Sequence, residues 1–163
     1  MRYDEIVELM NTDPVVQKLL QAPIPARLAY IATDGSPRAI PVSYLWNGKA
    51  FVFASPTNAP KIKALTMHPK VALTVDTTVF TPDILLVRGV AAIEVVQGIP
   101  DEYVEASRRI VGEERMEEWE RTVRAQMSEM AVISITPTWI KVIDFVTRFP
   151  GPVDPARREN GGA

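Results

Sequence analysis

Residues 27–55 read "RLAYIATDGSPRAIPVSYLWNGKAFVFAS". Leu28, Tyr30 and Ala32 alternate with Ala29, Ile31 and Thr33, the period of a strand with two different faces. "DGSP" is a turn signal, and "RAIPVSYLW" predicts a second strand. Asn47-Gly48 is the strongest hairpin signal in the chain, because a type I′ turn needs positive φ at both central residues. "KAFVFAS" predicts a third strand. The stretch therefore predicts a three-stranded antiparallel meander. Pro41 inside the second strand points to an edge or a bulge, since proline gives no N–H to a ladder.

Strand patterns continue downstream. "KVALTVDT" and "ILLVRGVAAIEVV" predict two more strands, with Gly89 as a bend in the longer one. "AVISITPTWIKVIDF" predicts a last strand pair or one long strand bent at Pro137. Residues 2–21 predict one or two short helices, with Asp13-Pro14 as a cap and restart. Residues 100–127 predict a charged helical segment broken near Gly112. Antiparallel strands with few helices imply a mainly β fold, a closed or partly open barrel flanked by helices. One domain is expected over 1–149, with a flexible, Pro- and Gly-rich tail over 150–163.

Composition narrows the function. The chain has 163 residues, 47% hydrophobic and 23% charged, with a net charge of −2. That balance gives no general pull toward nucleic acid or a membrane surface. No apolar run is long enough to span a bilayer as a helix. The acids within "MRYDEIVELM" argue against a signal peptide, and the lack of Cys agrees with a cytoplasmic location. With 0 Cys and 1 His, His68, a thiolate nucleophile is excluded and a multi-imidazole metal site is not expected. If the protein is an enzyme, its chemistry comes from something that it binds.

The segment "SPTNAPKIKALTMHPK", residues 55–70, poses a charge problem. It predicts a helix capped by Asn58, with Pro60 early in the first turn. Lys61 and Lys63 then sit where the helix field is already positive and anions are favoured. Ser55, Thr57 and the free N–H groups add donors there, so a phosphate would resolve the conflict. Plain solvation of both lysines is the alternative. Positions i and i+2 lie about 200° apart on a regular helix, so both lysines reach one anion only if the turn is irregular. Arg27, Arg38 and Arg88 are further cations, with Asp76 or Glu94 expected to pair Arg88. Tyr44, Trp46 and Trp139 are expected in core or interface positions. The acidic run "GEERMEEWE" reads as a solvated helix face.

No G-x-G-x-x-G or Walker-type loop is present. The order of the parts, however, resembles the pyridoxamine 5′-phosphate oxidase-like FMN-binding split-barrel family, including its flavin and deazaflavin oxidoreductase branch. The likeness runs over about residues 24–146. Its most specific piece is K-x-x-x-L-x-x-x-P, here Lys61, Leu65 and Pro69, followed by Val71. The resemblance implies a homodimer of six-stranded antiparallel split β-barrels with two cofactors at the interface. It implies an FMN phosphate near Ser55, Thr57, Lys61 and Lys63. The ring would lie along Arg38, Ile40, Pro41, Val42 and Ser43, with Ala54 behind and Trp139 of the other subunit as a cover. The chain lacks the basic, His-containing substrate motif of the oxidases proper near its C-terminus, so vitamin B6 oxidation is not expected. Lysines stand where those oxidases favour arginine, which leaves FMN and the deazaflavin F-420 both open. The implied function is hydride transfer to or from a small substrate. The alternatives are a flavin or haem carrier without catalysis and a ligand-free barrel.

Overall fold

A computed structural model describes residues 1–151. The expected tail at 150–163 falls almost wholly outside the described residues. Two N-terminal helices, α1 (Tyr3–Thr12) and α2 (Pro14–Gln21), meet at Asp13. The Asp13 carboxylate accepts the N–H groups of Val15 and Val16 at 2.9 and 3.1 Å, the cap that the sequence predicts. The helices bury Ile6, Met10, Val16 and Leu19 against the sheet.

The sheet has seven strands: β1 (Ala26–Ile31), β2 (Pro37–Val42), β3 (Leu45–Trp46), β4 (Phe51–Ser55), β5 (Lys70–Asp76), β6 (Ile84–Gln97) and β7 (Glu129–Ile143). Every pairing is antiparallel, in the order β2-β1-β5-β6-β7-β4-β3. The fold is mainly β, as expected, but the count is seven rather than six, and residues 27–55 do not form a meander. They make two separate hairpins, β1–β2 and β3–β4, at opposite ends of the sheet. The predicted second strand breaks at Ser43-Tyr44. The side chain of Tyr44 is buried, its ring 5.5 Å from that of Phe51, and its carbonyl accepts from Arg109 rather than from a strand. The outermost strands β2 and β3 are thus consecutive in the chain, and two residues bring the ends of the sheet together. A sheet so tied must curl.

The second hairpin sits where Asn47-Gly48 predicts it, but its turn is not type I′. Gly48 has φ 88°, whereas Asn47 is not in the left-handed region. Instead Asn47 Oδ1 accepts from the N–H of Lys49 (3.0 Å) and Ala50 (2.8 Å), an Asx turn. Pro41 lies in edge strand β2, opposite Arg27.

The long strands β6 and β7 carry the bend. Arg88 faces Trp139 and Gly89 faces Pro137, so Thr138 is an extra residue. A Cβ on Gly89 would lie 2.6 Å from Ile135 Cγ2 and 2.7 Å from the Thr136 carbonyl oxygen, so only glycine fits. Between these strands the chain makes α4 (Asp101–Val111) and α5 (Glu113–Gln126), separated by Gly112 at φ 83°. Under them Ile99, Val104, Met116, Val123 and Met130 form a second apolar cluster. The remaining helix, α3 (Pro60–Met67), follows β4. Among the described residues no helix is long and apolar enough to cross a membrane.

Candidate functional site

The seam where β2 ends, β4 ends and α3 begins holds a pocket of about 330 Å³, near the lower end of the ~300–1,000 Å³ usual for small-molecule sites. Pro41, Val42 and Ser43 form one side, Ala54 and Ser55 another, and Lys61 stands at the rim. These six predicted residues come together. Ser55 is 3% exposed, and its hydroxyl makes no hydrogen bond among the described residues. Lys61 is in none of the ion pairs among the described residues. Burial pushes its ammonium pKa down from the ordinary value. A half-buried cation without a counter-charge is costly, and an anion in the pocket would relieve that cost.

The helix start differs from expectation. Ala59, not Asn58, takes the cap position of α3, and no side chain caps the helix. Asn58 is exposed. Pro60 brings no N–H, and the Ile62 N–H is taken by the Ala59 carbonyl at 2.9 Å, so few donors of the first turn are left for a ligand or water.

The other five predicted residues do not line this pocket. Thr57 donates its hydroxyl to Glu129 Oε1 at 3.1 Å. Lys63 is exposed, as the 200° offset anticipates. Ile40 packs against the barrel core. Arg38 lies 3.8 Å from Asp34 and lines a different groove of about 540 Å³, formed by β1, β2, β5 and β6, together with Arg88 and Lys70. Trp139 lies under the Arg88 guanidinium, 4.5 Å from ring centre to Cζ. Arg88 therefore has an aromatic partner rather than Asp76 or Glu94; Asp76 is taken by Arg27 at 2.5 Å. His68 stands at the C-terminal cap of α3 and is not part of the pocket lining.

The sequence reading missed the far wall of the pocket, which α4 and α5 supply. Tyr103, Ser107, Ile110 and Val111 come from α4 and Trp119 from α5. The spacing 103, 107, 110/111 marks one helix face, a signal that charged neighbours obscured. The Tyr103 and Trp119 rings lie 5.3 Å apart, and burial pushes the Tyr103 phenol pKa up. Ser107 is 6% exposed, and its hydroxyl too makes no hydrogen bond among the described residues. Arg109 holds this wall in place. It donates to the carbonyls of Leu20 and Tyr44, lies 3.4 Å from that of Ala22, and covers the Tyr44 ring. The Tyr44 hydroxyl is buried without a partner, and burial drives its pKa up against the opposing charge of Arg109. Among the described residues no cluster of His, Cys, Asp and Glu could hold a metal ion.

A curled antiparallel sheet, joined at its two ends and bearing a hydroxyl- and lysine-lined pocket at the join, is a split barrel. The chain belongs to the pyridoxamine 5′-phosphate oxidase-like split-barrel family: the family model described as pyridoxamine 5′-phosphate oxidase matches residues 12–144. No curated protein matches the chain in sequence. Among solved structures, it is similar to an F420 reductase at 23% identity, over 77% of this chain and 94% of that one, with a TM-score of 0.60. It is similar to HutZ, the heme storage protein from Vibrio cholerae, at 16% identity over 80% and 93%, with a TM-score of 0.58. General stress protein 26 from Bacillus anthracis str. Sterne matches at 17% identity over 80% and 92%, with a TM-score of 0.57. At these identities the likeness concerns the fold.

Proposed function

We propose that this protein is a homodimeric oxidoreductase that works through a bound FMN or the deazaflavin F-420. The observation that carries the reading is Lys61, a half-buried and unpaired cation at the rim of a pocket that is also lined by Ser55. That donor set suits a phosphate: a point charge and a hydroxyl, both short of partners. Pro41, Val42 and Ala54 offer an apolar surface for a flat ring, and the backbone beside Ser43 offers polar contacts. Membership of the family supports the same group. When bound, a flavin or deazaflavin supplies hydride transfer. The chain's own residues anchor the anion, orient the ring and keep water from one face. No side chain of the pocket is assigned as acid or base.

Arg38 and Trp139 lie away from this pocket within one chain. Their role in the site requires a second copy, which would bring its Arg38 and Trp139 to close the pocket. The family is typically dimeric, which supports that arrangement. The substrate is a small molecule held beside the ring.

The test is direct. Protein incubated with FMN or with F-420, then freed of excess, should retain one chromophore in its absorption spectrum. Retention of neither would overturn the reading. Turnover with NAD(P)H or reduced deazaflavin then separates an enzyme from a carrier. The likeness to a heme storage protein makes haem the natural control, but His68 is not in the pocket, so imidazole ligation there has no support.

A further inference from the structure

We infer that helix α4 is a second arm of the anion site, with Ser107 donating its hydroxyl to the phosphate that Lys61 and Ser55 hold from the opposite wall. The inference rests on the proposed cofactor reading but extends it to an element outside the barrel. Three facts meet at Ser107. It is buried to 6% exposure, although it lies on a charged helix whose neighbours Glu105 and Arg108 face water or each other. Its hydroxyl has no partner among the described residues, neither another side chain nor the carbonyl one turn back that helical serines often use. It opens into the same pocket as Ser55 and Lys61. Neither serine hydroxyl is sealed off as the Tyr44 hydroxyl is; each is open to the pocket and free to donate there, and two such hydroxyls beside a lysine without an ion pair suit an oxygen-rich ligand.

The rest of the wall gives the ligand its class. Next to Ser107 lie Ile110, Val111 and the Tyr103–Trp119 pair, an apolar and aromatic surface. The occupant that satisfies both parts is a phosphate monoester with a ring-bearing body. Arg109, two residues further on, ties the same turn of α4 to Leu20 and Tyr44, so Ser107 is presented by a fixed backbone.

The experiment compares FMN with riboflavin, which lacks the phosphate, on the wild-type protein and on Ser107→Ala. Alanine favours a helix, so the variant should fold with an unchanged or raised Tm. Loss of one hydrogen bond to a charged group should weaken FMN binding about tenfold, with riboflavin affinity unchanged. Ser107→Thr, which keeps the hydroxyl, should restore most of the difference. Equal FMN affinities in wild type and Ser107→Ala would overturn the inference while leaving the cofactor reading intact. An equal loss for FMN and riboflavin would also overturn it, since the effect would then be packing. If wild type binds neither FMN nor F-420, the cofactor reading fails. Inorganic phosphate is then the probe: protection of the wild type against heat that is weaker in Ser107→Ala supports the site, and equal or no protection overturns it.

Discussion

The guanidinium of Arg109 lies 4.7 Å from the centre of the Tyr44 ring and donates to the carbonyl of the same residue. One side chain thus closes over the two-residue tie between β2 and β3 and fixes α4 to it. Arg109→Ala would leave the carbonyls of Leu20 and Tyr44 unpaired and uncover the ring. The expected cost is about 2–4 kcal/mol, from lost charged hydrogen bonds and the cation–π contact. Urea denaturation measures it. Arg109→Lys should recover only part of the loss, because an ammonium cannot serve divergent carbonyls as a planar fork does.

Lys61 and Lys63 are two residues apart and predict opposite results. Lys61→Ala should weaken binding of the phosphate-bearing cofactor by about 1.5–3 kcal/mol. Lys63→Ala, at an exposed position, should change it by less than about 0.5 kcal/mol. Titration by flavin fluorescence decides, and equal losses would argue against the pocket. The pH dependence carries a sign. Burial holds the Lys61 pKa below its ordinary value, and an anion in the pocket raises it. Binding therefore draws a proton once the pH nears the lowered value, and affinity should fall as pH rises through it. In the free protein the same group should add stability as pH rises between the lowered and ordinary values, since the unfolded chain then binds more protons.

Gly89 faces Pro137 at the bulge, and a methyl group there would meet the Thr136 carbonyl at 2.7 Å. Gly89→Ala should destabilise the protein by about 1–3 kcal/mol or more. Thermal unfolding checks this. Gly98→Ala is the useful contrast: its φ of 74° strains alanine but nothing blocks the methyl, so a smaller loss is expected.

Asp13 joins the ends of the described chain. Its carboxylate caps α2 and accepts from Arg148 at 2.5 Å, while Arg148 also donates to Asp144 at 2.9 Å. Burial pushes the Asp13 carboxyl up, but the Arg148 guanidinium and the two backbone N–H groups outweigh it and hold the pKa below the ordinary range. The backbone N–H of Arg148, followed by those of Thr147 and Val146, holds Asp144 well below that range. Both shifts are downward, so the stability that they lend is complete above the ordinary carboxylate pKa. It fades as pH falls through the folded values. Acid unfolding of Arg148→Ala should therefore begin at a higher pH than in the wild type. Asp13→Asn should keep the cap and lose the pair, and Asp13→Ala should lose a further ~0.5–2 kcal/mol.

What could be read in advance followed what is local. Alternation located the strands, and the cationic first turn located Lys61 and Ser55. The break at Tyr44 was not legible, because it depends on an arginine 65 residues further on. Nor was the wall formed by α4: Ser107 sits among acids and bases that read as a solvated face, and only packing against β4 turns it inward. Arg38 failed to join the pocket because it stands opposite Tyr30, at the end of β2 remote from Pro41 and Val42, and Trp139 because opposed residues share a sheet face. Trp139 stands opposite Arg88, and that pair belongs to the outer side.

The short link at Ser43-Tyr44 also bears on solubility. Open sheets are sticky at their margins, where unsatisfied amides recruit strangers. Here the two marginal strands are leashed to each other, and neither can swing out to zip onto a foreign chain without dragging its counterpart along. Splicing a few flexible residues into the leash should leave each hairpin intact yet make the protein prone to clump.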